Sequence, residues 1–245
     1  MQARFWPHLA VLCLTAPAAH AITADELVAK NIEAHGGAGR IQAIHTLRLE
    51  GRLVVGGGFE LAATTVRKAP DKVRNEAMLQ GLTMVQSYDG KDAWQIQPFG
   101  GRRDPEKLSA DDARVLADSA DLVNPLVDWK ARGSRLDYLG TEDVDGTPAH
   151  KLKVTRRNGD VTYVYLDPDY FLEIRTVDNR KVRGVEEEVE TDLGDYEKVD
   201  GVYLPFSIST GPKGSTQKQK MVIEKAAANV DVDDALFAFP AGAKP

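Results

Sequence analysis

Six carboxylates crowd the stretch between Glu186 and Asp195: Glu186, Glu187, Glu188, Glu190, Asp192 and Asp195. Paired carboxylates perform general acid/base chemistry or hold metal ions. They also decorate strands that face water. Alternation over Val185–Leu193 separates these outcomes. Val185, Glu187, Val189, Thr191 and Leu193 share one face, and Glu186, Glu188, Glu190 and Asp192 share the other. Four like charges on one strand face repel and are costly to bury unpaired. They are expected to point to water, opposite Arg175 or Lys220. Glu187 is the exception, because alternation puts it on the apolar side, with Arg67 as its expected partner.

Other reactive residue types form no recognisable set. Beyond residue 21 the histidines are His35, His45 and His150. His35 and His45 flank glycines and a turn, and no H-E-x-x-H pattern occurs. There is no G-x-S-x-G, and Ser87, Ser119 and Ser207 sit in ordinary strand or helix contexts. His35-Gly-Gly-Ala-Gly39 follows a helix rather than a strand and lacks the phosphate-loop pattern. Asp167-Pro-Asp169 has no EF-hand spacing around it and reads as a strand-end turn. The reading is a non-enzyme with no catalytic residues, no cofactor and no metal. A hydrolase assembled by folding two carboxylates onto His150 stands as a remote alternative.

The chain has 245 residues, with 37 acidic and 31 basic side chains and a formal net charge of −6. An acidic balance with scattered basic residues gives no support to nucleic-acid binding. The start, MQARFWPHLAVLCLTAPAAHA, has a basic residue, a short apolar run and a small-x-small end. It reads as a secretory signal cleaved after Ala21. The single cysteine, Cys13, lies inside that run, and Leu12 before it is not the small residue that lipid attachment requires. The expected product is a soluble, exported, monomeric single domain over 22–245, without disulfides.

Along that domain, Thr23-Ala-Asp-Glu26 is a capping box, and Gly36-Gly37 ends the helix it opens. From Thr46 the period drops to two, and strands follow one another to Pro98. Asp104–Arg132 reads as a helical insertion, with proline in its first turn and Asn124-Pro125 opening a second short helix. Strands then continue nearly to the end, turning at Asp145-Gly146, Asn158-Gly159 and Asp200-Gly201, with Asn158-Gly159 expected as a type I′ hairpin. The fold class is mainly β with helices (α+β): about ten or eleven antiparallel strands in one sheet, so wide that it must curl strongly or fold over itself. Helices would plug its concave side. Val161–Leu166, apolar at nearly every position, is expected to be covered on both faces.

Several segments together resemble the LolA/LolB-like superfamily of periplasmic carriers that sort outer-membrane lipoproteins. They are Lys68-Ala-Pro-Asp-Lys-Val-Arg74, Ser87-Tyr-Asp-Gly-Lys-Asp-Ala-Trp-Gln-Ile-Gln-Pro-Phe99, Tyr165-Leu-Asp-Pro168, Asp195-Tyr196, Val199-Asp-Gly-Val-Tyr-Leu-Pro205 and Leu236-Phe-Ala-Phe-Pro240. The resemblance implies a single strongly curved antiparallel sheet, an unclosed barrel, a periplasmic location and an apolar interior that holds lipid or lipoprotein acyl chains beneath lid helices at Asp104–Arg132. It also implies an inner-membrane exporter or outer-membrane receptor as partner. The family carries an arginine directly before the proline that helps to hold the lid shut. Here that position is Ala69, and Arg67 on the same face is the substitute. The expected cavity residues are Leu49, Trp94, Leu116, Leu126, Tyr163, Tyr165, Leu204 and Phe206, with Arg67 and Glu187 as lid-closing polar residues. An envelope sensor or accessory module that binds a partner protein is the alternative on the same fold.

Overall fold

The computed structural model describes residues 22–122 and 124–241. The expected signal segment and Cys13 lie outside them. The first helix, α1 (Ala24–Ala34), starts at the anticipated capping box. The Thr23 side chain accepts from the Glu26 N–H, and the Glu26 carboxylate accepts from the Thr23 N–H at 2.8 Å. Leu27, Val28 and Asn31 form its buried stripe. Gly36 follows with φ +115° and passes so close to the sheet that a Cβ there would lie 2.3 Å from the Gly201 carbonyl oxygen. A short α2 (Ala38–Gln42) then leads into the sheet.

Among the described residues, thirteen strands form one antiparallel sheet. They are β1 (Thr46–Val55), β2 (Phe59–Lys68), β3 (Lys72–Leu79), β4 (Leu82–Tyr88), β5 (Ala93–Gln97), β6 (Arg102–Lys107), β7 (Arg135–Val144), β8 (Thr147–Thr155), β9 (Val161–Leu166), β10 (Glu173–Val182), β11 (Val185–Val199), β12 (Val202–Pro212) and β13 (Gln219–Ala228). Their spatial order is β6-β5-β4-β3-β2-β1-β13-β12-β11-β10-β9-β8-β7. Two meanders, β1 to β6 and β7 to β13, are thus joined side by side through β1 and β13. The sheet does not close: β6 and β7 are its two edges.

That order dictates where the middle of the chain must go. Residues 108–134 leave one edge, β6, and must arrive at the other, β7. They cross the concave side, contributing α3 (Ala110–Asp118) and a run of turns after it. The helical insertion is therefore smaller than its sequence suggested. Arg102–Lys107 is an edge strand, where Pro105 and a row of charges are tolerated because one side needs no hydrogen-bonded partner. The residues after Asn124-Pro125 form turns rather than a helix.

The turn dipeptides behave unequally. Asp145-Gly146 (φ 50° and 89°) and Asp200-Gly201 (φ 48° and 84°) have the two positive φ angles of tight hairpins. In Asn158-Gly159 only the glycine does, at 91°. It belongs to a longer loop closed by the Arg156 N–H donating to the Asp160 carbonyl at 2.8 Å.

Helices and connection bury the concave face in three clusters. Leu27 and Val28 of α1 pack with Leu126, Leu152, Val154, Val164 and Leu166. Leu116 and Ala120 pack on Val73 and Ala93. Between them Leu47, Leu49, Leu204, Phe206 and Ile223 form the central cluster, flanked by Leu122 and Val127. A fourth cluster, Val144, Ala149, Tyr165 and Val177, lies on the opposite face. Strand β9 is thus buried on both sides, by α1 on one and by neighbouring strand side chains on the other.

Candidate ligand cavity

A cavity of about 240 Å³ lies between α1, the connection and the concave face of β1, β2 and β9–β12. Leu47, Leu49, Leu122, Leu193, Leu204 and Ile208 make its apolar wall. Thr162, Thr176, Asp178 and Thr191 add a polar strip, and Asp118, Asp121 and Arg156 stand at its edge. The volume is somewhat below the roughly 300–1,000 Å³ of small-molecule sites, which are also mostly apolar with a few placed polar groups.

A fully buried polar cluster forms one end. His35, at the C-terminus of α1, sets its Nε2 2.7 Å from Glu173 Oε2 and its Nδ1 2.6 Å from the Tyr203 carbonyl. The Tyr203 carbonyl can only accept, so Nδ1 donates to it, and Nε2 faces the Glu173 carboxyl group. Burial alone lowers the pKa of His35, but the charge and hydrogen bond of Glu173 outweigh it and raise the pKa above its ordinary value. Burial likewise disfavours the Glu173 carboxylate, yet His35, with the Asn31 amide at 3.0 Å, holds its pKa below the ordinary range. The Tyr196 hydroxyl donates to the Glu173 carbonyl at 2.8 Å, and burial together with Glu173 pushes its own pKa well up. Asn124 of the connection donates to Asn31 at 3.1 Å. Both ring nitrogens of His35 are engaged inside the cluster. The cluster ties α1, the connection and three strands together.

Arg67 differs from every other charge in this wall. It extends from β2 into the cavity, and its Nε is sealed from solvent without a hydrogen-bond partner. Burial lowers its pKa, and the charge of Asp121 offsets this only in part.

The anticipated residues divide by sheet face. Leu49, Leu204 and Arg67 line the cavity. Phe206 lies in the same apolar cluster without bordering the void, Leu116 of α3 packs on Val73 and Ala93, and Leu126 packs beneath α1. Tyr163 and Tyr165 are on the convex face, where the Lys151 ammonium sits 4.7 Å and 5.2 Å from their ring centres. The inward positions of that strand are Thr162, Val164 and Leu166. Trp94 is convex as well, capped by the C-terminal segment, with its indole N–H donating to the Phe237 carbonyl at 2.8 Å. Glu187 is on the concave side, but its ionic contact is Arg180, at 4.0 Å. It borders a separate cleft with Asp112 and Leu116, so Arg67 is not its partner. Three of the four outward acids of β11 are paired rather than free. Lys218 contacts Glu190 at 2.6 Å and also Asp192, Arg175 contacts Asp192 at 2.5 Å, and Lys213 contacts Glu188 at 3.2 Å. Lys218 thus stands where Lys220 was expected.

Sequence reasoning missed Glu173, Asn31 and Asn124. His35 and Glu173 are 138 residues apart in the chain, so no local spacing joins them. The one available signal was a lone carboxylate among apolar neighbours in Phe171-Leu-Glu-Ile174. Among the described residues, no His/Cys/Asp/Glu group is arranged to hold a metal, and no helix is long and apolar enough to cross a membrane.

No protein-family model matches the chain, and no curated protein matches it in sequence. Solved structures do. A LolA superfamily protein from Nitrosomonas europaea is 13% identical with a TM-score of 0.57, over 89% of this chain and 98% of that one. A DUF1329 family protein from Desulfovibrio piger is 14% identical with a TM-score of 0.59, over 88% and 97%. A domain named for outer membrane lipoprotein sorting, from Vibrio parahaemolyticus, is 10% identical with a TM-score of 0.56, over 87% and 97%. At such identities the likeness concerns the fold, and in those terms this chain has a LolA-like fold.

Proposed function

We propose that the protein is a soluble periplasmic carrier that binds the acyl chains of lipids or lipoproteins without covalent chemistry. The observation that carries this reading is the cavity itself: an apolar wall of Leu47, Leu49, Leu122, Leu193, Leu204 and Ile208, roofed by a connection that the topology forces across the open sheet. The LolA-like fold supports it. Burying an acyl chain contributes about 0.8 kcal/mol per CH₂, so a few methylenes outweigh any single polar contact and chain selectivity is loose. The resting void is small, so a full chain enters as residues 108–134 swing outward. An exporter or receptor in the envelope is the implied partner in loading or unloading.

The test is native mass spectrometry of protein exported to a bacterial periplasm and purified without detergent. Acyl-bearing adducts are expected, and they should be lost when Leu204→Trp fills the cavity. Adduct-free wild-type protein, or adducts unaffected by Leu204→Trp, would refute the reading.

A further inference from the structure

The carboxylates around the cavity are all answered. Asp118 pairs with Arg156, and Asp121 with Arg132. Asp178 accepts from the Thr162 hydroxyl at 2.6 Å, and Glu173 is held by His35. Among the described residues, no carboxylate or carbonyl pairs with the Arg67 guanidinium, whose Nε is closed off from water. Asp121 acts on it only through space. A guanidinium keeps its proton near neutral pH, so this charge cannot be relieved by titration. A carboxylate or phosphate is the group its fork of donors fits best. Leu47 lies directly across from Arg67 on β1, and Leu49 is two residues further along that wall. An anion on Arg67 would therefore lie beside an apolar wall rather than in a wholly polar site.

We propose that Arg67 is the head-group site of the cavity, and that the preferred ligand is an amphiphile with one anionic head, carboxylate or phosphate, and an acyl or alkyl tail along Leu47, Leu49 and Leu204. The proposal rests on the acyl-binding reading above and adds the charge of the head to it. It gives Arg67 a role other than latching the lid.

Calorimetric titration of decanoate, decyl phosphate, decanol and inorganic phosphate into wild-type protein, Arg67→Gln and Arg67→Lys tests this. Decanoate and decyl phosphate should bind wild type at least about tenfold more tightly than decanol, as one charge-assisted contact provides. Arg67→Gln should erase that preference, read as the ratio of decanoate to decanol affinity within the variant, and Arg67→Lys should keep part of it. Inorganic phosphate alone should bind far more weakly than decyl phosphate. Equal affinity for decanol and decanoate in wild type would overturn the head-group site and leave acyl binding standing. Binding of phosphate as tight as decyl phosphate would overturn the amphiphile. Failure of all three decyl compounds would overturn both this inference and the acyl-binding reading. A thermal melt of each variant identifies loss of fold, in which case Arg67→Lys alone decides the charge dependence.

Discussion

At the residue scale, two charged groups in one cavity wall have opposite energetics. His35 and Glu173 satisfy each other, and their remaining polar atoms are hydrogen-bonded by Tyr203, Asn31 and Tyr196. Breaking such a pair leaves a buried charge uncompensated, so His35→Ala is expected to destabilise by about 3–5 kcal/mol in chemical denaturation. Its pH dependence has two limbs. Glu173 has a lowered pKa, so its contribution is present above its unfolded value near 4.5 and is lost as pH falls through the lower folded value. His35 has a raised pKa, so its contribution is complete below the unfolded value near 6.5 and is lost as pH rises through the higher folded value. Stability measured against pH should fall on both sides, and the alkaline limb should vanish in a His35→Gln, Glu173→Gln double variant. Arg67 has no such partner. Exchanging it for an apolar side chain, Arg67→Met, should raise ligand-free stability by about 1–2 kcal/mol, because it removes the sealed Nε that has no hydrogen-bond partner. A drop in stability would instead make Arg67 a latch holding the connection in place.

At the element scale, α3 acts as a clasp across the open sheet. Its apolar face, through Leu116, packs on β3 and β5, while its charges reach the other flank. Arg114 pairs with Asp160 and Asp118 with Arg156, both partners lying in the β8–β9 loop. Asp112 pairs with Arg183, and Asp111 accepts from the Arg183 N–H at 2.7 Å, both at the β10–β11 turn. Ion pairs at a surface are screened by salt, whereas apolar packing is not. Hydrogen exchange in α3 should accelerate between low salt and about 1 M salt, where the Debye length is about 3 Å, while exchange in the central strands stays unchanged. Equal protection of α3 at both salts would mean that its packing alone holds it. The C-terminus of α1 offers a second check. Gly36→Ala places a Cβ against the Gly201 carbonyl at a φ that L residues rarely adopt, and should destabilise by roughly 1–3 kcal/mol in thermal melts.

At the scale of the whole molecule, what was readable in the sequence was what local chemistry specifies. Thr23 and Glu26 sit three residues apart, and Asp145-Gly146 and Asp200-Gly201 encode tight turns by themselves. A wide antiparallel sheet with helices on its concave side followed from strands interrupted by one helical stretch, and its openness from the segments that resemble the LolA/LolB-like superfamily. What stayed hidden depended on long-range placement. Tyr163 and Tyr165 looked inward because their strand is apolar on both faces, so alternation carried no label for inside. Asp104-Pro105-Glu106 looked like a helix start because an edge strand and a helix N-terminus accept the same residues. Glu173 was invisible as a partner of His35 until the meander brought β10 beneath α1. The central claim, an acyl chain held between connection and sheet, is tested most directly by photo-crosslinking with a diazirine-tagged decanoate and mapping the labelled peptides. The account predicts labels on the concave positions Leu47, Leu49, Leu204 and Ile208 and on Leu122 of the connection, all competed away by unlabelled decanoate. Labels confined to the convex face, or to the cleft between Tyr170 and Tyr203, would contradict it.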